Sequence, residues 1–228
     1  MAFTFTSQIP GVGEHYAAVV TAGVVTVGII AASFVGRASL GTGETAVVPA
    51  DRFSVRGVFE MFTEFIAGLC DMVIGHEGRK YTPMFASFFT YILINNLVGV
   101  IPGMEPATVD FNSTLSMGLF VFITYNLFGL RHGGVGYLKH FLGPVMWLAP
   151  LMVVVELISH IVRPLSLGLR LQNVLKGDHT VVGIFLDLIP IGLPIPFYLL
   201  GLFVCVVQAF IFTLLSMVYV ALATASDH

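Results

Sequence analysis

The sequence predicts an all-α integral membrane protein, a single membrane domain over residues 1–228 with about five transmembrane or membrane-embedded helices and one amphipathic surface helix. Three observations carry that prediction. Hydrophobic residues make up 57% of the chain and charged residues only 10%, against about 25% charged in a soluble domain. Apolar runs long enough to cross the hydrocarbon core recur along the chain. Most charged residues lie between these runs. A net charge of −3 gives no basis for a nucleic-acid partner.

The elements follow in order. The N-terminal MAFTFTSQIPGVGEHYA has no basic n-region, so no cleavable signal peptide is expected. Residues 16–35 (YAAVVTAGVVTVGIIAASFV) have the length of one crossing helix. In 52–75, Phe59, Phe62, Ile66, Leu69 and Val73 recur at helical spacing while Glu60, Glu64 and Asp71 fall elsewhere, the pattern of an amphipathic helix lying on the membrane surface. Spans are expected at 84–101, ended by Pro102, and at 115–130. A fourth apolar segment covers 145–174. The last, 181–224, is interrupted by IPIGLPIP and reads as a hairpin of two antiparallel helices.

Charge orients these spans. Arg37, Arg52, Arg56, Arg79, Lys80, Arg131 and Lys139 flank one set of ends, and Glu14, Glu105 and Asp110 the other. The positive-inside rule then puts the N-terminus outside and the C-terminus in the cytoplasm.

The fourth segment breaks the apolar rule. At 100° per residue, Glu156, Ser159, His160, Arg163, Ser166, Arg170 and Asn173 fall within roughly 140° of one another. A charge at mid-bilayer costs about 2.5–3.5 kcal/mol on insertion scales, so such a row requires a partner or water. Arg163 could reach the cytoplasmic surface, and Glu156 could pair with His160. Arg170 has no acid three or four residues away and, being arginine, cannot escape by neutralising. Gln208 stands alone in LFVCVVQAFIFTLL, suited either to bond across helices or to hold the arginine or a water chain. Asn95, Asn96, Asn112, Thr114 and Ser116 add polar groups toward the outer side, with Asn112 also a candidate helix cap.

Other chemistries find little support. Cys70 and Cys205 sit in separate apolar segments and read as small buried side chains, not as a disulfide or zinc pair. HExxH and nucleophilic-serine motifs are missing, and the histidines do not pair on opposing spans as haem ligands would. No metal or cofactor is expected.

The run RPLSLGLRLQN, followed by QAFIFTLLSMVYVALA, closely resembles subunit a of the F-type ATP synthase membrane sector. NNLVGVIP and NSTLSMG extend the likeness over roughly Tyr81 to Ala223. The resemblance implies long tilted helices facing a ring of c subunits, two proton half-channels, and an essential arginine, here Arg170, that meets the ring carboxylate between deprotonation and reprotonation. It implies that Gln208 and Asn173 support the arginine or the water path, and that Ser166, Glu156, Asn96 and Asn112 lie near the channels. Implied partners are the c-ring, the b subunits of the peripheral stalk, other ATP synthase subunits and the lipid of a bacterial inner membrane. No ATP chemistry is expected in this chain.

The sequence departs from that family where LQN follows Arg170 in place of the usual Leu-Phe-Gly-Asn or Leu-Phe-Ala-Asn: either one residue is missing and Asn173 is the family asparagine, or the register holds and Val174 occupies that position. The acid or histidine expected nine residues after the arginine is His179 without a gap and Asp178 with one. Seven residues before Gln208, where relatives often carry His or Glu, stands Gly201. A secondary transporter or ion channel is the competing reading. It predicts inverted repeats, and none is visible.

Overall fold

The computed structural model describes residues 14–39, 55–101, 104, 106–134, 149–188, 192 and 194–224. Expectations for Arg52, Glu105, Lys139 and residues 145–148 lie outside these. Six α-helices account for most of the described chain: α1 (Glu14–Ser39), α2 (Val55–Val73), α3 (Thr82–Val100), α4 (Phe111–Gly133), α5 (Ala149–Leu188) and α6 (Pro194–Thr224). Short 3-10 turns at His76–Tyr81 and Ala107–Val109 precede α3 and α4. All of these helices except α2 are long and apolar enough to cross a membrane.

α4 packs along α5 and α3 along α6, and α6 also touches α4 and α5. Phe85, Ile92, Tyr125, Leu171, Leu175, Phe212 and Met217 fill the centre of this four-helix body. α1 stays peripheral, in contact with α2, α3 and the turn at Ala107–Val109. The amphipathic reading of α2 holds in its packing. Ile66 and Cys70 are buried against the core, and the Phe62 and Phe65 rings meet Phe89 and Phe210 at 5.6 and 6.4 Å. Burial pushes the Cys70 thiol up from its ordinary range, in keeping with an inert packing residue.

Several span ends gather on one side of the molecule. Lys80, before α3, bonds Glu77 at 2.5 Å and lies 3.2 Å from His132 at the end of α4. The last turns of α6 (Val218, Ala221, Leu222, Thr224) line a cleft with Val73 and Ile74 at this same end. The start of α3, the end of α4 and the end of α6 therefore share one basic side. α3 and α6 run antiparallel.

Two boundaries differ from expectation. A break between 174 and 181 does not occur: α5 continues through Lys176, Gly177, Asp178 and His179 to Leu188. The expected 181–224 hairpin is thus the last part of α5 followed by α6, and the connection contains Gly192, whose φ of +92° favours glycine. In lipid an unwound backbone leaves polar groups unsatisfied, so the helix persists through residues that would end it in water. At 40 residues α5 is about 60 Å long, roughly twice the hydrocarbon thickness, so it must tilt steeply or project beyond the bilayer.

Candidate functional site

Rotation of α5 decides where its polar side chains go, and two glycines set that rotation. A side chain at Gly118 would stand 2.5 Å from the Pro164 carbonyl oxygen, and one at Gly168 would stand 3.0 Å from the Thr114 carbonyl oxygen. Only glycine at both positions lets α4 and α5 approach so closely. Pro164 lacks the N–H that would bond the carbonyl of residue 160, a point where the helix can bend beside this crossing. With Pro164, Leu167, Gly168, Leu171 and Leu175 turned inward, Ser166, Arg170 and Asn173 are carried to the exposed face.

Toward the basic end, the charges are paired. Arg163 lies 3.6 Å from Glu156, two turns away, and 5.7 Å over the Tyr219 ring. His160 is buried, with Nε2 2.9 Å from Asn126 Oδ1 and its ring edge-on to Phe122 and Tyr125 at 5.4 and 5.3 Å. The Glu156–His160 pair considered from sequence gives way to these two. Arg163 is a partly buried, paired cation and not one stretched alone to the surface.

Midway along α5 the picture changes. Among the described residues Arg170 has no ion-pair or hydrogen-bond partner, and it is exposed beside Leu165 and Leu169. Ser166 Oγ turns back to the Arg163 carbonyl at 2.9 Å. On α6, Leu199, Leu202, Phe203 and Val206 are also exposed. Gln208 is only 4% exposed, and its Nε2 is buried without a hydrogen-bond partner. Arginine and glutamine are thus not bonded to each other.

Away from the basic side a second polar group forms. Thr108 donates to Asn96 Oδ1 at 3.0 Å, Asn96 Nδ2 donates to the Cys205 carbonyl at 3.3 Å, and the Cys205 thiol returns to the Asn96 carbonyl at 3.3 Å. The Asp178 carboxylate fills the space a side chain at Gly201 would occupy. His179 lies against Gly99, where a Cβ would stand 2.9 Å from its Nε2. Asn112 is exposed in the first turn of α4. The cap there is Asp110, which accepts from the Ser113 N–H at 3.3 Å, so the capping role considered for Asn112 is corrected.

Two members of these groups were not singled out from sequence. Thr108 lies in a three-residue 3-10 turn, too short to give a periodic signal. Asn126, a lone amide in FITYNLFGL, carried the same signal as Gln208 and could have been found by it.

These features define a class: a multi-pass helical membrane protein built around a polar seam, with an arginine, Arg170, that has no partner among the described residues on an exposed apolar face. The chain belongs to the ATP synthase A chain family, which residues 16–221 match. It is 60% identical to ATP synthase subunit a of Bdellovibrio bacteriovorus over 100% of both chains. It is 44% identical to ATP synthase subunit a of Oleidesulfovibrio alaskensis, over 76% of this chain and 79% of the relative. ATP synthase subunit a of a Sulfurihydrogenibium species is 41% identical, over 76% of this chain and 84% of the relative.

Proposed function

We propose that this chain is the stator of the ATP synthase membrane sector, supplying two proton half-channels and the arginine that couples proton flow to rotation of a c-ring. The observation that carries this reading is Arg170: a permanent cation on an exposed apolar helix face, with no counter-charge of its own. A cation so placed suits a carboxylate brought past it by another subunit. It lowers the carboxylate's pKa as it approaches, and it blocks protons from passing directly between the two half-channels. The exposed α5 and α6 faces are the surface offered to the ring.

The polar groups at the two ends of α5 are the best candidates for the two paths. Glu156, Ser166 and Arg163 line the basic, cytoplasmic side, with Asn173 and Gln208 near the arginine. Asn96, Asp178 and His179 line the outer side, with Asn112 toward its mouth. Since Gly201 has no side chain, Asp178 takes up that space, and His179, whose imidazole can both donate and accept a proton, exchanges protons with it. The peripheral-stalk b subunits and the other ATP synthase subunits complete the assembly, and the bacterial inner membrane is its location. Competition from a transporter reading is weakened by the family match.

Arg170→Ala tests the reading: proton-driven ATP synthesis is expected to be lost while the complex still assembles, and robust coupled synthesis would defeat it. Orientation is tested separately. In a background lacking Cys70 and Cys205, Glu14→Cys and Glu105→Cys should react with membrane-impermeant maleimide from outside, and Arg56→Cys and Lys139→Cys only from the cytoplasm. The reverse pattern inverts the topology.

A further inference from the structure

Between His179 and Gln208 the proposed outer path has a gap, and α3 presents a group suited to it. Asn95 precedes Gly99 by one helical turn on the same face, and Gly99 is the point where His179 meets α3. Asn95 is fully buried. Its Nδ2 donates to the Tyr91 carbonyl at 2.9 Å, and its Oδ1 has no hydrogen-bond partner. Across the α3–α6 interface, the orphan atom of Gln208 is Nε2. One buried acceptor and one buried donor thus remain unmatched in the same interface.

Their levels are close. The paired contacts of Asn96 and Cys205 fix the register of these antiparallel helices. Going from that level toward the basic end, Asn95 lies about 1.5 Å deeper and Gln208 about 4.5 Å deeper, at 1.5 Å per residue. Both face toward α5. On α6, Gly201 meets Asp178 and stands two turns before Gln208 on the same face; on α3, Gly99 meets His179 and stands one turn after Asn95. A buried amide oxygen in lipid is retained where something bonds it.

We propose that Asn95 is a further lining residue of the outer proton path, its Oδ1 linked to Gln208 Nε2 through one water, so that the hydrogen-bonded chain runs from His179 through Asn95 to Gln208. This rests on the reading of Asp178 and His179 as the outer relay. Asn95 holds no proton of its own. It orients the donors that pass one.

The test uses the whole complex in liposomes, measuring passive proton conduction through the membrane sector, complex yield and thermal stability. Asn95→Leu should lower conduction per assembled complex roughly fivefold, the scale of one lost hydrogen bond, while complex yield stays near that of the parent protein. Asn95→Ser should recover part of the conduction. Lower stability with unchanged conduction per assembled complex would mean a purely structural amide and would overturn the proposal. Should Asn95→Leu not assemble, Asn95→Cys in a Cys70→Ser/Cys205→Ser background serves: silver ion added from outside should block conduction, and no block overturns it. Asp178→Asn/His179→Gln, measured alongside, separates the levels. A loss there with none in Asn95→Leu sinks Asn95 alone, whereas no loss in either sinks the outer path with it.

Discussion

The two ends of α5 handle polarity in opposite ways. Toward the basic end, Glu156 has Arg163, and His160 has Asn126. From Arg170 onward, the arginine has no partner among the described residues, and Asp178 and His179 lie against Gly201 and Gly99 of the neighbouring helices. Both stretches belong to one continuous helix, so secondary structure does not distinguish them. What differs is whether the protein itself answers each polar group. Groups answered within the chain hold helices together; a group left unanswered in an apolar face awaits something from outside. That difference is why function is assigned to the second stretch before the first.

Arg170 gives the largest expected effect. If its work is to be a cation that never yields its proton, Arg170→Lys must fail nearly as badly as Arg170→Ala, because a desolvated ammonium can neutralise and lacks the planar fork. Coupled synthesis should fall at least about tenfold, equivalent to roughly 1.4 kcal/mol or more. Near-normal synthesis in the lysine variant would erase the contrast between the two ends of the helix.

Next comes the outer relay. Asp178→Asn/His179→Gln should slow proton uptake from outside far more than either single change, without disturbing assembly. Pumping followed across pH values spanning the histidine's titration is the measurement. Normal pumping throughout would remove both residues from the path, and the outer half of α5 would then be no more active than the inner half.

Much of this was legible in the sequence, for an identifiable reason. Lipid forces helices wherever apolar runs are long, so the spans and the amphipathic α2 follow from composition and period. The stripe from Glu156 to Asn173 follows from helical geometry alone. Illegible parts depend on partners distant in the chain. KGDHT looks like a loop because glycine among four polar residues ends helices in water. In this fold it stays helical, since Gly201 and Gly99 open room for Asp178 and His179. Neither glycine announces that role locally. The choice of Asn126 for His160 likewise depends on how α4 crosses α5 at Gly118 and Gly168.

Gly201 offers a smaller and sharper test. A methyl group there would overlap the Asp178 carboxylate, the free end of a side chain, so the carboxylate moves while the helices stay in place. Gly201→Ala should leave assembly intact and reduce conduction several-fold, on the order of one perturbed hydrogen bond. In an Asp178→Asn background it should add little, because residues acting through one another are not additive. Full additivity in that cycle would mean that the notch at Gly201 is packing and nothing more.

The smallest effect is expected where the charges are answered. Arg163 and Glu156 are 3.6 Å apart, with side chains 27% and 34% exposed, so neither is sealed from water. A partly exposed pair of this kind contributes about 0–1 kcal/mol. Removing the arginine leaves Glu156 in reach of solvent, where it can hydrate or take up a proton, and removes the cation above the Tyr219 ring. Arg163→Ala should therefore lower assembled complex and coupled synthesis by about twofold at most, with no change in the pH dependence of uptake from outside. Glu156 is the more informative partner, since it also stands in the proposed cytoplasmic path. If Glu156→Gln slows proton release to the cytoplasm while Arg163→Ala does not, the carboxylate conducts and the ion pair only holds it. If both variants are equally silent, the basic-end group is structural, and the cytoplasmic path must be sought along Ser166 and Asn173. Loss of coupling in Arg163→Ala as severe as in Arg170→Lys would break the comparison itself, because a paired cation would then matter as much as an unpaired one.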